Sequence, residues 1–118
     1  MKPEKVLVVE DEPLVAVAVS EDLSEQGYDV LIAPNADEAM HLLETTSDIR
    51  TVFTDIEMPG SMNGLKLAAA VRDRWPPVNI IITTGKKRPQ SEQMPARSVF
   101  IAKPYLPEQV LNAMHSFG

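Results

Sequence analysis

The sequence predicts an α/β domain built on a single parallel β-sheet. Short apolar runs rich in β-branched residues alternate along the chain with stretches of helical periodicity, which is the pattern of strands joined by helical crossovers. The apolar runs are mostly continuous, as expected for strands that are covered on both faces of a sheet. A chain of 118 residues is the length of one domain, and no linker or repeat interrupts it.

Five segments are predicted as strands: residues 6–9, 28–33, 51–54, 79–83 and 99–102. Four segments are predicted as helices: residues 14–26, a segment beginning near Asn35, residues 65–75 and residues 107–114. Gly27 follows the first helix where a C′ glycine is favoured. Asn35 begins the second, with Glu38 three residues later as a capping-box partner. Pro76 ends the third helix, and Pro107 lies in the first turn of the last.

The segment from Gly85 to Arg97 has weaker periodicity than the other crossovers. It contains the basic run Lys86-Lys87-Arg88 and two prolines. We therefore expect at most a short helix, near Gln90 to Gln93. The basic run has two interpretations, a solvated loop or a contact patch for an acidic partner.

Five strands in a chain of this length favour a flavodoxin-like, doubly wound sheet of order 2-1-3-4-5, with helices on both faces and a short or irregular fourth helix. The sequence has no G-x-G-x-x-G motif after the first strand, which disfavours a dinucleotide-binding unit. In sheets of this kind, ligands bind beyond the carboxyl ends of the strands. The usual place is the topological switch point between strands 1 and 3, where the strand order reverses.

Composition excludes several classes of function. The chain has 17 acidic and 11 basic residues, so its net charge of −6 disfavours binding to nucleic acid or to an anionic membrane. It has no cysteine and two histidines, which excludes thiolate sites and disfavours a histidine-rich metal site. No apolar run approaches the roughly 20 residues that span a bilayer, and the charged start does not resemble a secretory signal. We therefore expect one cytoplasmic domain over residues 1–118.

Four of the predicted strands end in residues that can carry chemistry. Glu10 and Asp11 follow the first strand, Asp55 the third, Thr84 the fourth and Lys103 the fifth. Because these ends meet at one edge of the sheet, the carboxylates should converge and need a counter-charge, for which lysine and Mg²⁺ are suited. Each residue alone would more often be a helix cap, a turn residue or a solvated acid. The combination of carboxylates, a hydroxyl and a lysine at four strand ends predicts a functional site that binds Mg²⁺.

These residues lie in motifs that resemble the receiver domain of bacterial two-component response regulators. The matching segments are VLVVEDE at 6–12, TDIEMPGSMNG at 54–64, IITTG at 81–85 and FIAKPY at 100–105. The resemblance implies a stand-alone receiver, not an enzyme acting on other substrates, in which Asp55 accepts a phosphoryl group in a Mg²⁺-dependent step. The implied partners are a sensor histidine kinase or phosphotransfer protein and a downstream protein target, with neither nucleic acid nor membrane involved.

The resemblance also implies a role for each matching residue. It implies these metal ligands: Glu10, Asp11, Asp55 and the backbone carbonyl of Glu57. Lys103 would contact the phosphoryl group, and a cis bond is expected between Lys103 and Pro104. Thr84 and Phe100 would form the switch, with the hydroxyl turning towards the phosphoryl group and the ring following into the space it leaves.

The sequence departs from the usual receiver pattern at several points. The loop after Asp55 is longer by Gly60-Ser61, and Phe100 stands where tyrosine is more common. Glu57 and Lys86 are predicted to flank the path of the hydrolytic water, which predicts slow loss of the phosphoryl group. Gly64 and Gly85 are predicted to accommodate tight backbone at the site.

Two alternatives remain open from the sequence. The first is a receiver-like protein-binding module that is never phosphorylated. The second is a metal-dependent enzyme with a Toprim-like site, for which Asp55-Ile56-Glu57 is a weak match and the net charge is unsuitable.

Overall fold

The computed structural model describes residues 3–58, 62–86 and 89–117, which form a parallel sheet with helices on both faces. The strands are β1 (Lys5–Val9), β2 (Asp29–Ala33), β3 (Ile49–Asp55), β4 (Asn79–Thr84) and β5 (Ser98–Ala102). The α-helices are α1 (Pro13–Glu25), α2 (Ala36–Thr45), α3 (Gly64–Arg74) and α4 (Pro107–Ser116). In this part of the chain, every helix is too short or too polar to cross a membrane.

The strand order is β2-β1-β3-β4-β5, and all neighbouring strands are parallel, as the sequence predicts. β1 lies between β2 and β3, with Val9 in register with Ala33 on one side and Thr54 on the other. The residue that follows β1 therefore lies beside the last residue of β3. This register brings Glu10 and Asp55 to the same edge of the sheet.

The sheet separates two apolar layers. Alternate residues of β1 face opposite sides, so that Leu7 and Val9 pack under α2 and α3 while Val6 and Val8 pack under α1 and α4. All four of these side chains are fully buried. The continuous apolar sequence of the first strand follows from this double coverage.

Helix ends explain where the crossovers turn. Gly27 has a φ of +94°, the left-handed conformation predicted for it after α1. Asn35 caps α2, because its Oδ1 accepts a hydrogen bond from the backbone N–H of Glu38 at 2.8 Å. Asn63 caps α3 in the same way, through the N–H of Lys66 at 2.9 Å. This second cap was not predicted from the sequence.

Among the described residues of the crossover between β4 and β5, the helical structure is one 3₁₀ turn, Ser91–Gln93, in place of a regular helix. This confirms the prediction of a short fourth helix. The guanidinium of Arg72, on α3, donates to the carbonyl oxygens of Ala96 at 2.6 Å and Val78 at 2.7 Å. These bonds hold the segments that lead into β4 and β5 against α3. The inserted Gly60-Ser61 and the basic residues Lys87-Arg88 lie outside the described residues.

Candidate functional site

Three carboxylates meet at the carboxyl edge of the sheet, as predicted. Glu10 and Asp11 follow β1, Asp55 ends β3, and one oxygen from each lies within 4.8 Å of the others. Glu10 and Asp55 are each 2 % exposed, while Asp11 is the most exposed of the three. Three hard oxygen ligands at this separation, one of them open to solvent, fit a small divalent cation such as Mg²⁺.

Lys103 supplies the positive charge among these carboxylates. Its Nζ donates to Oδ2 of Asp55 at 2.7 Å and to Oε1 of Glu10 at 3.3 Å. The lysine follows β5 and reaches over the end of β4 to contact Asp55 at the end of β3 and Glu10 just after β1. The Lys103–Pro104 peptide bond is cis, which confirms the prediction from the motif.

Each buried carboxylate uses its two oxygens in the same way. One oxygen accepts from Lys103, and the other accepts from a backbone N–H two residues along the chain. The N–H of Glu12 donates to Oε2 of Glu10 at 3.0 Å, and the N–H of Glu57 donates to Oδ1 of Asp55 at 3.2 Å. These bonds fix the orientation of both carboxylates in the resting protein.

Burial and charge act in opposite directions on the ionisation of the site. Burial raises the pKa of Asp55 above its ordinary value, although the hydrogen bond and charge of Lys103 oppose this. Burial also raises the pKa of Glu10, against the N–H of Glu12 and the charge of Lys103. For Lys103 itself, burial lowers the pKa, but the hydrogen bond to Asp55 and the charge of Glu10 outweigh it and leave the pKa raised. Lys103 is therefore a cation at neutral pH.

Thr84 lies at the end of β4, but its hydroxyl is engaged by Glu57 rather than by Asp55. The hydroxyl donates to Oε2 of Glu57, and the backbone N–H of Gly85 donates to Oε1 of the same carboxylate at 3.2 Å. The N–H of Lys86 donates in turn to Oγ1 of Thr84 at 3.0 Å. These side-chain contacts of Glu57 were not predicted from the sequence, where the resemblance implied a role only for its backbone carbonyl.

Phe100 lies outside the carboxylate cluster, on the strand next to Thr84. It is in register with Ile82 on β4, while Thr84 is in register with Ala102 on β5. Side chains two residues apart point to the same face of a sheet. Thr84 and Phe100 therefore share the face that α2 and α3 cover, and Phe100 is partly exposed there.

The two glycines predicted to accommodate tight backbone differ in their surroundings. A Cβ on Gly64 would lie 2.0 Å from the carbonyl oxygen of Asp55, because the N–H of Gly64 donates to the carbonyl of Ile56 at 3.0 Å and draws α3 onto this loop. The prediction is confirmed for Gly64. It is wrong for Gly85, where a Cβ would meet the Lys103 side chain at 3.9 Å, an ordinary contact.

A groove of about 690 Å³ lies beside the carboxylates, between α1 and residues 103–107. Leu14 and Tyr105 line it, and Leu14 is 85 % exposed. The ring of Tyr105 packs edge-on against Phe53, with 5.7 Å between ring centroids. Burial and the charge of Glu10 raise the pKa of the Tyr105 hydroxyl to about 12. Tyr105 was not predicted as a residue of the site, although its place directly after Lys103-Pro104 is a sequence signal for that position.

Comparison with known proteins places the chain in a family. A sequence model described as the response regulator receiver domain matches residues 6–115. The chain therefore belongs to the response regulator receiver domain family, the receiver of two-component systems.

Individual relatives agree with this family. The chain is 38 % identical over 86 residues to the transcriptional regulatory protein AruR of Pseudomonas aeruginosa, covering 70 % of this chain and 34 % of AruR. It is 33 % identical over 110 residues to a chemotaxis protein CheY homolog of Campylobacter jejuni, covering 88 % of this chain and 84 % of that protein. The chain thus spans about a third of AruR and most of the CheY homolog.

The fold is also that of solved receiver proteins. The structure of response regulator TrrA of Thermotoga maritima, in complex with Mg²⁺-BeF, superposes with a TM-score of 0.83 at 26 % identity. The match covers 98 % of this chain and 99 % of TrrA. The family and the fold together set aside the Toprim-like alternative.

Proposed function

We propose that this receiver accepts a phosphoryl group on Asp55 from the phosphohistidine of a sensor histidine kinase or a phosphotransfer protein. An Asp55 carboxylate oxygen attacks phosphorus, an O–P bond forms, and the N–P bond of the phosphohistidine breaks as its electron pair returns to the imidazole. The product is an acyl phosphate. Water later attacks phosphorus and releases the Asp55 carboxylate and inorganic phosphate. The protein catalyses these steps on itself and has no other substrate.

The position of Asp55 between a cation and a cluster of acids is the observation that carries this proposal. Phosphoryl transfer needs positive charge placed around the outer phosphoryl oxygens. Lys103 already contacts Asp55 at 2.7 Å and stays protonated at neutral pH. Glu10, Asp11, Asp55 and the carbonyl of Glu57 would hold Mg²⁺, which supplies further positive charge to the same oxygens when bound.

The groove beside Asp55 supports a protein as the phosphoryl donor. A histidine presented by a partner must approach phosphorus in line with Asp55, so the partner has to rest on surface adjoining the site. Leu14, which lines the groove, is 85 % exposed, and Leu106, between the groove-lining Tyr105 and Pro107, is 58 % exposed. Exposed large apolar side chains next to a reactive group are typical of protein docking rather than of nucleic-acid binding.

The cytoplasmic location of the protein stays a prediction.

The proposed output is a change of shape on the face shared by Thr84 and Phe100. A phosphoryl group on Asp55 carries a charge of roughly −1.5 to −2 and several acceptor oxygens. Thr84 would turn to donate to one of them, and Phe100 would move into the space vacated. A downstream protein then binds the altered surface of β4 and β5.

Intact mass spectrometry tests the proposal directly. The protein is incubated with acetyl phosphate and Mg²⁺, and the expected result is a gain of one phosphoryl group. The gain should be lost in Asp55→Asn and when the metal is chelated, but retained in Asp73→Asn, which changes an exposed aspartate on α3. Absence of any gain in the wild-type protein would favour the alternative, a receiver-like binding module that is not phosphorylated.

The lifetime of the phosphoryl group is predicted to be long. Glu57 and Lys86 lie two residues after Asp55 and Thr84, where a charged pair could shield phosphorus from water. The same mass assay, followed after the donor is removed, measures the decay rate. A double variant with Glu57→Ala and Lys86→Ala should decay faster, and an unchanged rate would remove this prediction.

A further inference from the structure

The side chain of Glu57 connects the loop after β3 to the end of β4. Both of its carboxylate oxygens are used, one by the hydroxyl of Thr84 and the other by the backbone N–H of Gly85. Glu57 also donates its own N–H to Asp55 at 3.2 Å. A single residue therefore contacts the proposed phosphoryl acceptor through its backbone and the proposed switch through its side chain.

This arrangement creates competition between two anions. The proposed switch requires the Thr84 hydroxyl to donate to a phosphoryl oxygen on Asp55, and a hydroxyl has one proton to donate. In the resting protein that proton is donated to Glu57. A phosphoryl group arriving on Asp55 would also repel the nearby carboxylate of Glu57, because both carry negative charge. The Thr84 hydroxyl therefore cannot donate to the Glu57 carboxylate and to a phosphoryl oxygen on Asp55 at the same time.

We propose that the Glu57 carboxylate is a latch that holds Thr84 and Gly85 in the resting position and must release them before the receiver can switch. The proposal rests on the proposed function for what opens the latch, since phosphorylation of Asp55 supplies the competing anion. The latch itself is a property of the unphosphorylated protein. The side chain of Glu57 acts as a positioning group, because it sets the place of Thr84, whereas the proposed part of Glu57 in phosphoryl transfer belongs to its backbone carbonyl.

The expected effect of removing the Glu57 carboxylate follows from the strength of the hydrogen bonds that it accepts. Hydrogen bonds to a charged acceptor are stronger than those between neutral groups. Removing the carboxylate should therefore raise the exchange rate of the Gly85 amide hydrogen by on the order of tenfold, because its acceptor is lost. It should also raise the fraction of the unphosphorylated protein that samples the switched position.

The test compares three variants in the absence of any phosphodonor. Glu57→Ala removes both acceptor oxygens, and Glu57→Gln keeps one acceptor oxygen but removes the charge. Glu25→Gln removes one negative charge from an exposed position at the end of α1 and serves as the matched control. Amide hydrogen exchange of Gly85 and the NMR shifts of Thr84 and Phe100 are measured in each, with wild-type protein bound to Mg²⁺ and beryllofluoride as the reference for the switched state.

The expected result is graded. In Glu57→Ala, the Gly85 amide exchanges faster and the Phe100 shifts move along the line from resting towards beryllofluoride-bound protein. Glu57→Gln lies between this variant and the wild type, and Glu25→Gln matches the wild type. A residue that merely stabilised the fold would not move Phe100 along that line. Gly85 exchange and Phe100 shifts that coincide with the wild type in both Glu57 variants would overturn the proposal.

The proposed function and the latch fail in different ways. If wild-type protein takes up no phosphoryl group from acetyl phosphate, the proposed function fails, while Gly85 exchange still reports on the latch. If Glu57→Ala does not fold, Glu57→Gln decides the result, because it preserves the volume of the side chain. If uptake occurs and the Glu57 variants match the wild type in the resting state, the latch fails and the proposed function stands.

Discussion

Replacing Gly64 by alanine has two opposing effects on stability at the first turn of α3, a gain in helix propensity and a steric clash. Alanine in a helix is ordinarily more stable than glycine by roughly 0.5–1 kcal/mol, because it loses less backbone entropy on folding. Here the added Cβ would lie 2.0 Å from the carbonyl oxygen of Asp55 and 2.8 Å from the Cα of Ile56. These neighbours are backbone atoms, so relief of the clash requires α3 or the loop after β3 to move by more than about 1 Å.

Overpacking of this kind typically costs about 1–3 kcal/mol, which exceeds the gain in helix propensity. We expect Gly64→Ala to lower the free energy of unfolding by about 2 kcal/mol, and the melting temperature by about 8 °C for a domain of this size. It should also slow phosphoryl uptake, because the displaced backbone carries Asp55.

Gly85→Ala is the matched control. Its Cβ would meet the Lys103 side chain at 3.9 Å, so its stability should change by less than about 0.5 kcal/mol. Urea unfolding and calorimetry of the two variants measure the difference. A Gly64→Ala protein as stable as the wild type, or more stable, would show that the close approach of α3 to Asp55 does not constrain this position.

Other predictions follow from the charges. Replacing Lys103 by methionine leaves the Glu10 and Asp55 carboxylates without the lysine cation. The free energy of unfolding at pH 8 should therefore fall by about 2 kcal/mol. Because burial raises both carboxyl pKa values, protonation restores part of this loss as the pH falls. Urea unfolding should therefore show a smaller deficit at pH 5, and equal deficits would contradict this reasoning. Arg72→Ala should cost about 2 kcal/mol through its lost hydrogen bonds to backbone carbonyls. Arg74→Ala, in an exposed ion pair, should cost less than about 1 kcal/mol in the same assay.

Much of the fold and the core of the site were predictable from the sequence. Continuous apolar runs identified the strands because the sheet is covered on both faces, and parallel strands place all their carboxyl ends at one edge. Glu10, Asp11 and Asp55 lie within two residues of a strand end, so topology brings these carboxylates together. Lys103 directly follows β5, and its long side chain reaches Asp55 from there.

The features that escaped prediction depend on loops and on side-chain direction. The contact of Glu57 with Thr84 requires the loop after β3 to turn towards β4, and no periodicity describes such a turn. The cap at Asn63 and the bonds of Arg72 to backbone carbonyls likewise depend on where irregular segments pass. Gly85 was misjudged because a glycine in a motif need not be in a crowded place.

Lys103 has a mechanical consequence that follows from the strand order. It extends from the edge strand β5, passes over the end of β4 and bonds to Asp55 on β3 and to Glu10 after β1. Its own backbone N–H donates to the carbonyl of Thr84 at 2.9 Å. A phosphoryl group on Asp55 would displace the Lys103 ammonium, and the movement would be carried along the extended side chain to its anchor at the end of β5. A change at the acceptor would thus reach the edge strand by a route that does not pass through the hydroxyl of Thr84.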